Sequence, residues 1–133
     1  MTKIIKSYAD QFETAKQNMV KQSALIPVPK GLILEYSLPQ ITETLFQLYG
    51  DESFRNKFVG SELSQMNWTK GFCALTTMAV DELTLHKMFT IEAIYPKDWE
   101  RGPVVFLRDN INNIPYDPTQ FQFSPLRVPY ELG

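Results

Sequence analysis

The fold of this chain is decided by the stretch Asn67-Trp68-Thr69-Lys70-Gly71-Phe72-Cys73-Ala74-Leu75-Thr76-Thr77-Met78-Ala79-Val80. It begins with a glycine-containing turn, after which apolar or small side chains recur at the three- and four-residue spacing of one helix face. These side chains are Phe72, Leu75, Thr76, Ala79, Val80 and Leu83. The spacing predicts a helix over residues 71–83 that is buried against a sheet.

The chain's single cysteine, Cys73, falls in the first turn of this predicted helix. Unpaired amide N–H groups and the positive end of the helix dipole converge there, and this environment stabilises a thiolate. Cys73 is therefore a candidate nucleophile. The alternative is a packing role, because a free cysteine behaves as a small hydrophobic residue and is among the residue types most often buried.

Composition and charge limit the classes of protein to which the chain can belong. Of its 133 residues, 44% are hydrophobic and 13% are aromatic, which predicts a single globular domain over residues 1–133. Lys and Arg number 13 against 15 Asp and Glu, so the net charge is −2, and neither sign forms a long run. Nucleic acid is therefore not an expected partner, since it requires a basic surface.

Several kinds of site can be set aside from the sequence. One cysteine allows no internal disulfide, and one cysteine with one histidine cannot complete a tetrahedral zinc site. Nucleotide-binding and calcium-binding motifs are missing, so no cofactor and no metal are expected. Neither a secretory signal nor a membrane-spanning apolar run is evident, so we expect a cytoplasmic protein with no membrane partner.

Residues 1–36 are predicted to form an N-terminal helix followed by an extended connector. Between residues 2 and 22 the helix presents one apolar stripe, made of Ile4, Ile5, Tyr8, Phe12, Ala15 and Met19. That stripe can dock on the domain or contact a partner. Pro27 and Pro29 then interrupt the helical pattern, and a brief strand or extended segment is expected at residues 32–34.

Two further helices are predicted before the cysteine stretch. Ser37 and Pro39 mark the start of one helix, and Gly50 marks its end. Residues 51–58 are predicted to form the other, which is shorter. The other predicted helices therefore all precede the cysteine helix in the sequence.

Beyond residue 84 the period changes from helical to alternating. Residues 88–95, 104–107 and 114–117 are predicted to be strands, with a turn at residues 109–113. Residues 124–133 are predicted to be an extended tail. This order predicts an α+β fold in which N-terminal helices and a central cysteine-bearing helix pack on a small antiparallel sheet.

Two local motifs resemble the papain-like and transglutaminase-like superfamily of cysteine hydrolases. Residues 68–76 resemble the family's tryptophan, glycine and cysteine at the start of its central helix. The family's strand, turn and D-x-T-x-x-Q-F segment, as in small bacterial YunG-like proteins, is similar to Val105-Phe106-Leu107-Arg108, a turn, and Tyr116-Asp117-Pro118-Thr119-Gln120-Phe121-Gln122-Phe123. The resemblance covers roughly residues 41–123.

This resemblance implies a papain-like core over residues 37–123 and a set of site residues. In the superfamily a cysteine at the helix start is the nucleophile, a histidine on a strand is the base, and an acid on the next strand orients the histidine. By position, Cys73 matches the nucleophile and Asp117 the orienting acid. The base would fall near Val104 and Val105, where this sequence has valine.

The only histidine, His86, is a poor substitute for that base. At about 1.5 Å per residue, a helix that starts at Cys73 carries His86 roughly 20 Å from the thiol. A base must lie within about 3 Å of the proton it removes, or act through one water. We therefore expect His86 at the helix C-terminus, where the dipole favours a cation, and a catalytic role only if the fold departs from this register.

Gln65 is a further candidate, because it precedes the cysteine helix at a spacing that suits an oxyanion donor. An exposed glutamine in a polar loop is the alternative.

A cysteine and an acid without a base imply a non-catalytic binding or regulatory domain, with another protein as its partner. Two alternatives remain open at the level of sequence. The first is an active cysteine-dependent amide hydrolase, acyl transferase or glutamine deamidase that uses His86. The second is a small interaction or immunity-type protein unrelated to cysteine hydrolases.

Overall fold

The computed structural model describes residues 8–60, 68, 72–94 and 104–119. The helices in these ranges are α1 (Tyr8–Ala24), α2 (Leu38–Tyr49), α3 (Glu52–Val59) and α4 (Cys73–Leu83). The strands are β1 (Phe89–Ile94), β2 (Val104–Asp109) and β3 (Pro115–Tyr116). Helices come first and an antiparallel sheet follows, so the predicted α+β class is confirmed.

Helices α1 and α2 pack against each other and supply a large part of the core. Phe12 and Met19 are buried on α1, and Ile41 and Phe46 are buried on α2. The rings of Phe12 and Phe46 lie 5.3 Å apart. Phe12 and Met19, which belong to the stripe predicted on the first helix, therefore dock on the domain itself.

Ser37 determines where α2 begins. Its hydroxyl accepts a hydrogen bond from the backbone N of Gln40 at 3.2 Å, and the Gln40 side chain accepts one from the backbone N of Ser37 at 2.9 Å. This reciprocal pair satisfies two amides that the first turn of a helix leaves without partners. At the other end, the backbone N of Gly50 donates to the carbonyl of Phe46 at 3.0 Å, so Tyr49 is the last residue of α2.

Helix α3 is short and is tied to the end of α2. Asp51 caps it by accepting from the backbone N of Phe54 at 3.1 Å, and Gly60 ends it with a left-handed φ of 85° that favours glycine. The buried Arg55 donates from Nη1 to the carbonyl of Tyr49 at 2.8 Å. This bond satisfies one of the carbonyls that the last turn of α2 leaves open.

Helix α4 buries only part of the predicted stripe, which included Thr76 and Val80. Thr76, Thr77 and Val80 are buried, whereas Leu75 and Leu83 are 45% and 43% exposed. The prediction that Leu75 and Leu83 face the sheet is therefore wrong. A hydrophobicity pattern ranks leucine above threonine, but a threonine hydroxyl with a hydrogen-bond partner loses most of the penalty for burial.

The sheet has the strand order β1-β2-β3, and both pairs are antiparallel. Ile91 lies opposite Leu107, which lies opposite Tyr116, so these three side chains share one face. Helix α4 packs on this face against β2, where its Val80 joins Leu107 and Tyr116 in the core. We call it the α4 face.

The connector between α1 and α2 contains no strand in the structure. Leu32 and Leu34 pack against the core, while Ile33 between them is 86% exposed. Of the two alternatives that the sequence left open at residues 32–34, a brief strand or an extended segment, the strand is therefore excluded. The predicted tail and the segments 1–7, 61–67, 69–71, 95–103 and 120–133 lie outside the described residues. Among the helices that are described, none combines the length and the apolar character needed to cross a bilayer.

Candidate functional site

Cys73 is the first residue of α4, and its side chain is half-buried. The preceding residue, Phe72, is buried, and its ring centroid lies 5.3 Å from that of Tyr49 and 5.5 Å from that of Phe54. The Phe72 carbonyl accepts the first hydrogen bond of the helix, from the backbone N of Thr76 at 2.8 Å. The buried Phe72 ring therefore anchors the start of α4 and so places Cys73.

Buried hydroxyl groups join α2 to α4 and to the sheet. Tyr49 of α2 hydrogen bonds to Thr76 of α4, and Thr42 of α2 hydrogen bonds to Tyr116 of β3. The Thr42 hydroxyl donates to the carbonyl of Leu38 at 2.8 Å, so in its bond with Tyr116 the tyrosine is the donor. We call Thr42, Tyr49, Thr76 and Tyr116 the hydroxyl cluster. It pairs polar groups that would otherwise be costly to bury.

Asp117 follows β3 directly and is only 3% exposed. Its Oδ1 accepts hydrogen bonds from the backbone N of Thr119 at 3.0 Å and from the Thr119 hydroxyl at 2.6 Å. Thr119 is itself fully buried. The Asp-x-Thr segment is therefore a closed turn in which short local hydrogen bonds orient the carboxylate.

Cys73 and Asp117 both act electrostatically on the hydroxyl of Tyr49. Burial raises the pKa of Tyr49 well above its ordinary value of 10.0, and the hydrogen bond to Thr76 partly offsets that rise. The neighbouring Tyr116, Asp117 and Cys73 raise the pKa further when they carry negative charge. The start of α4 and the end of β3 therefore both influence the same buried phenol.

The raised pKa makes Tyr49 a hydrogen-bond partner and not a base. A phenol with a pKa above 10.0 is almost wholly protonated at pH 7. A general base for a thiol has to accept a proton near the working pH. Tyr49 can therefore orient the groups around Cys73, but it cannot replace a histidine.

The valines at the expected position of the base lie on opposite faces of β2. Val105 pairs with Ala93 and shares the α4 face with Leu107, whereas Val104 pairs with Ile94 on the other face. Val104 is buried and Val105 is half-buried. Of the two, Val105 is on the side of the sheet that carries Cys73. Neither side chain can accept or donate a proton.

His86 lies in the turn that ends α4. Leu85 and His86 have left-handed φ values of 60° and 59°, and the backbone N of His86 donates to the carbonyl of Asp81 at 2.8 Å. The His86 ring is 69% exposed, with Nδ1 2.6 Å from Oδ2 of Asp81. Cys73 is the first of the 11 residues of this helix, which rise about 1.5 Å each, and the turn follows the last of them. The structure therefore does not bring His86 and Cys73 together.

The remaining sequence candidates add no reactive group. Gln65, the candidate oxyanion donor, lies outside the described residues. Trp68 packs with its ring centroid 4.9 Å from that of Tyr8 and 4.8 Å from that of Phe12, and the Arg55 guanidinium lies 4.7 Å from the Trp68 ring centroid. In the described part of the chain, no group of His, Cys, Asp and Glu side chains is arranged to hold a metal ion.

Sequence reasoning missed Thr42 and Tyr49 as neighbours of the candidate site. Both are buried on α2 together with Ile41 and Phe46. The available signal was a hydroxyl side chain at an apolar position of a periodic helix, since a buried hydroxyl requires a hydrogen-bond partner. The pattern does not say which partner it meets, because Thr76 and Tyr116 come from elements far away in the chain.

The buried tyrosines predict how stability depends on pH. Burial raises the pKa of both Tyr49 and Tyr116 above 10.0, and a hydrogen bond to a threonine opposes each shift. Below pH of about 10 both groups are protonated in the folded and unfolded states, so their contribution to stability is complete. Above pH of about 10 the unfolded chain ionises first, and the free energy of unfolding falls.

Urea unfolding from about pH 8 to 11 measures this fall in stability, and Tyr116→Phe should make the fall less steep. A stability that does not change across this range would contradict the burial of the two phenols.

Comparisons with known proteins do not assign the chain to a group. No family model matches it, no curated protein is significantly similar in sequence, and no solved structure is significantly similar in fold.

Proposed function

We propose that this protein is a non-catalytic binding or regulatory domain with a papain-like core that has Cys73 and Asp117 but no general base. The observation that carries the proposal is the position of His86. It is the only histidine of the chain, and it lies at the opposite end of α4 from Cys73, in contact with Asp81. The groups that act on the same phenol as Cys73 are an aspartate and a tyrosine.

Loss of the base has a large expected effect on turnover. Proton transfer by a positioned side chain contributes about 10²–10⁴-fold to an enzymatic rate. Without it, a thiol can be acylated slowly by an activated ester, whose leaving group departs without a proton. The amine of an amide substrate, however, receives no proton as it leaves, and the acyl group is not released by an activated water. The half-buried Cys73 then fills space at the start of α4 and has no catalytic cycle.

The binding role draws support from the outer surface of α4 and the turn that follows it. Leu75, Met78, Leu83 and Leu85 are exposed by 45%, 67%, 43% and 51%. Leu75 and Met78 are neighbours on the helix surface because they are three residues apart, and neighbouring exposed apolar groups are typical of protein-binding surfaces. The partner that suits this surface is another protein.

The second candidate function is an active cysteine-dependent amide hydrolase, acyl transferase or deamidase. The observation that favours it is that Cys73 is half-buried and not fully buried, at a helix N-terminus, and that Asp117 acts on the same phenol as Cys73. Such an enzyme requires a base for Cys73, whereas the binding role does not.

Affinity capture tests the binding role. The wild-type protein, Cys73→Ala, Met78→Lys and Ile111→Lys are immobilised, and proteins from the same extract are compared on each. We expect wild type and Cys73→Ala to retain the same protein, Met78→Lys to lose it, and Ile111→Lys to retain it, because Ile111 is 51% exposed in a turn of the sheet. A partner that is lost with Cys73→Ala and kept by Met78→Lys would contradict the proposed surface.

A base can also be installed in the structure. Val105→His puts an imidazole on the α4 face, and the matched control Val104→His puts it on the other face. We expect Val105→His to increase the rate of Cys73 acylation by an activated ester, whereas Val104→His should not. Equal rates in both variants and wild type would show that β2 does not supply the position of the missing base.

A further inference from the structure

Strand β1 is an edge of the described sheet, since within the described residues it pairs with β2 alone. The carbonyl of Met88 accepts from the backbone N of Asn110, the residue that follows β2. Backbone groups of an antiparallel strand point alternately to its two sides. Thr90 and Glu92 therefore point their amides and carbonyls toward β2, and Phe89, Ile91 and Ala93 point theirs outward.

The outward-pointing residues of β1 also leave apolar side-chain surface open on the α4 face. Ile91 is 46% exposed and Ala93 is exposed, although Leu107, directly opposite Ile91, is completely buried. The difference arises because α4 packs on β2 and leaves β1 largely uncovered. The strand thus combines a row of outward backbone groups with an apolar strip along the same edge.

We propose that β1 pairs with β1 of a second copy of this chain. The two strands run antiparallel and are related by a two-fold axis at Ile91. Their pairing joins the two sheets into one. Ile91 then lies opposite Ile91 of the second copy, and Phe89 lies opposite its Ala93. All three outward-pointing residues of each strand form backbone hydrogen bonds in this register, and the apolar strips of the two copies meet on the α4 face.

The charges of β1 favour this arrangement. On the face away from α4, Thr90 of one copy lies opposite Glu92 of the other, so no two carboxylates face each other. The Glu92 carboxylate already binds Arg108, with 2.9 Å between Oε1 and Nε. Protein edges that must stay single often carry lysine or proline, whereas β1 is Phe-Thr-Ile-Glu-Ala-Ile, and its one charge, Glu92, is paired with Arg108.

Other symmetric registers are less favourable. A two-fold axis at Thr90 would pair Phe89 with Ile91 but put Ala93 opposite Lys87, outside the strand. An axis at Glu92 would put the two Glu92 carboxylates directly opposite each other, which is destabilising. An axis at Phe89 or Ala93 would leave most of the outward-pointing residues unpaired, because the strand has only six residues. The axis at Ile91 therefore satisfies the largest number of edge groups. This inference does not depend on the proposed function, because Cys73 and the outer surface of α4 play no part in it.

Molar mass in solution tests the proposal. Light scattering of the purified chain over a range of concentrations should approach twice the monomer mass of 15.4 kDa. Ile91→Lys should halve the measured mass, since it places two like charges directly opposite each other. The matched control Ile111→Lys, at a residue 51% exposed, should leave the mass unchanged. A wild-type monomer at every concentration, or a dimer that survives Ile91→Lys, would overturn the proposal.

Cysteine cross-linking tests the register itself. In a Cys73→Ser background, Ile91→Cys should form an intermolecular disulfide on mild oxidation, because directly paired residues place their Cα atoms about 5.5 Å apart. Thr90→Cys should not, because its counterpart in the second copy is Glu92. Circular dichroism establishes that both variants are folded. A stronger cross-link through residue 90 than through residue 91 would exclude the proposed axis.

Discussion

Replacing Phe72 by alanine is expected to lower the free energy of unfolding by about 3–5 kcal/mol, the range typical of a buried aromatic side chain replaced by alanine. Phe72 is 1% exposed, and its ring stacks on Phe54 and lies against Tyr49. It also supplies the carbonyl that accepts the first hydrogen bond of α4. Its loss should therefore disturb both the core and the position of Cys73.

Equilibrium urea unfolding measures this change, and Phe58→Ala is the matched control. Phe58 is 54% exposed, so its replacement should cost about 1 kcal/mol or less. Iodoacetamide labelling of the folded Phe72→Ala variant then reports on the thiol, which should become more accessible. Equal stability losses for the two variants would show that the ring of Phe72 is not an anchor of the helix.

Removal of the phenol oxygen in Tyr49→Phe is expected to destabilise the protein by about 1–3 kcal/mol, because it leaves the buried Thr76 hydroxyl without this partner. Thr76→Val should have a comparable cost for the same reason. In the double variant both polar groups are gone. The combined loss should therefore be smaller than the sum of the single losses by about 0.5–3 kcal/mol.

Thermodynamic coupling between Tyr49 and Thr76 is obtained from urea unfolding of the four proteins in this cycle. Tyr36→Phe is a control for the chemical change, because Tyr36 is 50% exposed and its hydroxyl loss should alter stability by about 0.5 kcal/mol or less. Additive losses would mean that the hydrogen bond between α2 and α4 contributes nothing to stability.

The layout of this fold was predictable because its elements carry local signals. Ser37 and Gln40 form a capping box, which a single sequence shows directly. The alternation from Phe89 to Ile94 and the turn after Asp109 likewise depend on near neighbours, since Asp109 accepts from the backbone N of Ile111 at 3.1 Å and of Asn112 at 2.8 Å. The fold class and the order of the helices and strands can therefore be predicted from such short-range interactions.

The buried face of α4 was predictable only in part, for the opposite reason: the predicted stripe contained Thr76 and Val80, which are buried, but also Leu75 and Leu83, which are not. Thr76 is buried because Tyr49 lies beside it, and Tyr49 comes from another helix. A pattern of hydrophobic residues selects Leu75 and Leu83, which are exposed in the structure. The hydroxyl cluster could not be predicted for the same reason, because its hydrogen bonds connect residues far apart in the chain.

The position of Cys73 at a helix start was predictable from the sequence, whereas the geometry around it was not. Position in the sequence placed Cys73 at a helix start, and the structure has it as the first residue of α4. Sequence could not say which of Val104 and Val105 lies on the α4 face, because that depends on the register of β2 with β1. Burial of Asp117 is likewise a tertiary property.

Turnover of an activated ester tests most directly whether Cys73 lacks a base. Wild type, Cys73→Ala and His86→Ala are compared for product formed beyond one equivalent of enzyme, which requires release of the acyl group. Our account predicts at most slow acylation of Cys73 in the wild type, with no turnover beyond the uncatalysed rate, and the same behaviour for His86→Ala. Turnover in the wild type that disappears in both Cys73→Ala and His86→Ala would contradict it, because it would show that the two residues cooperate in a working enzyme.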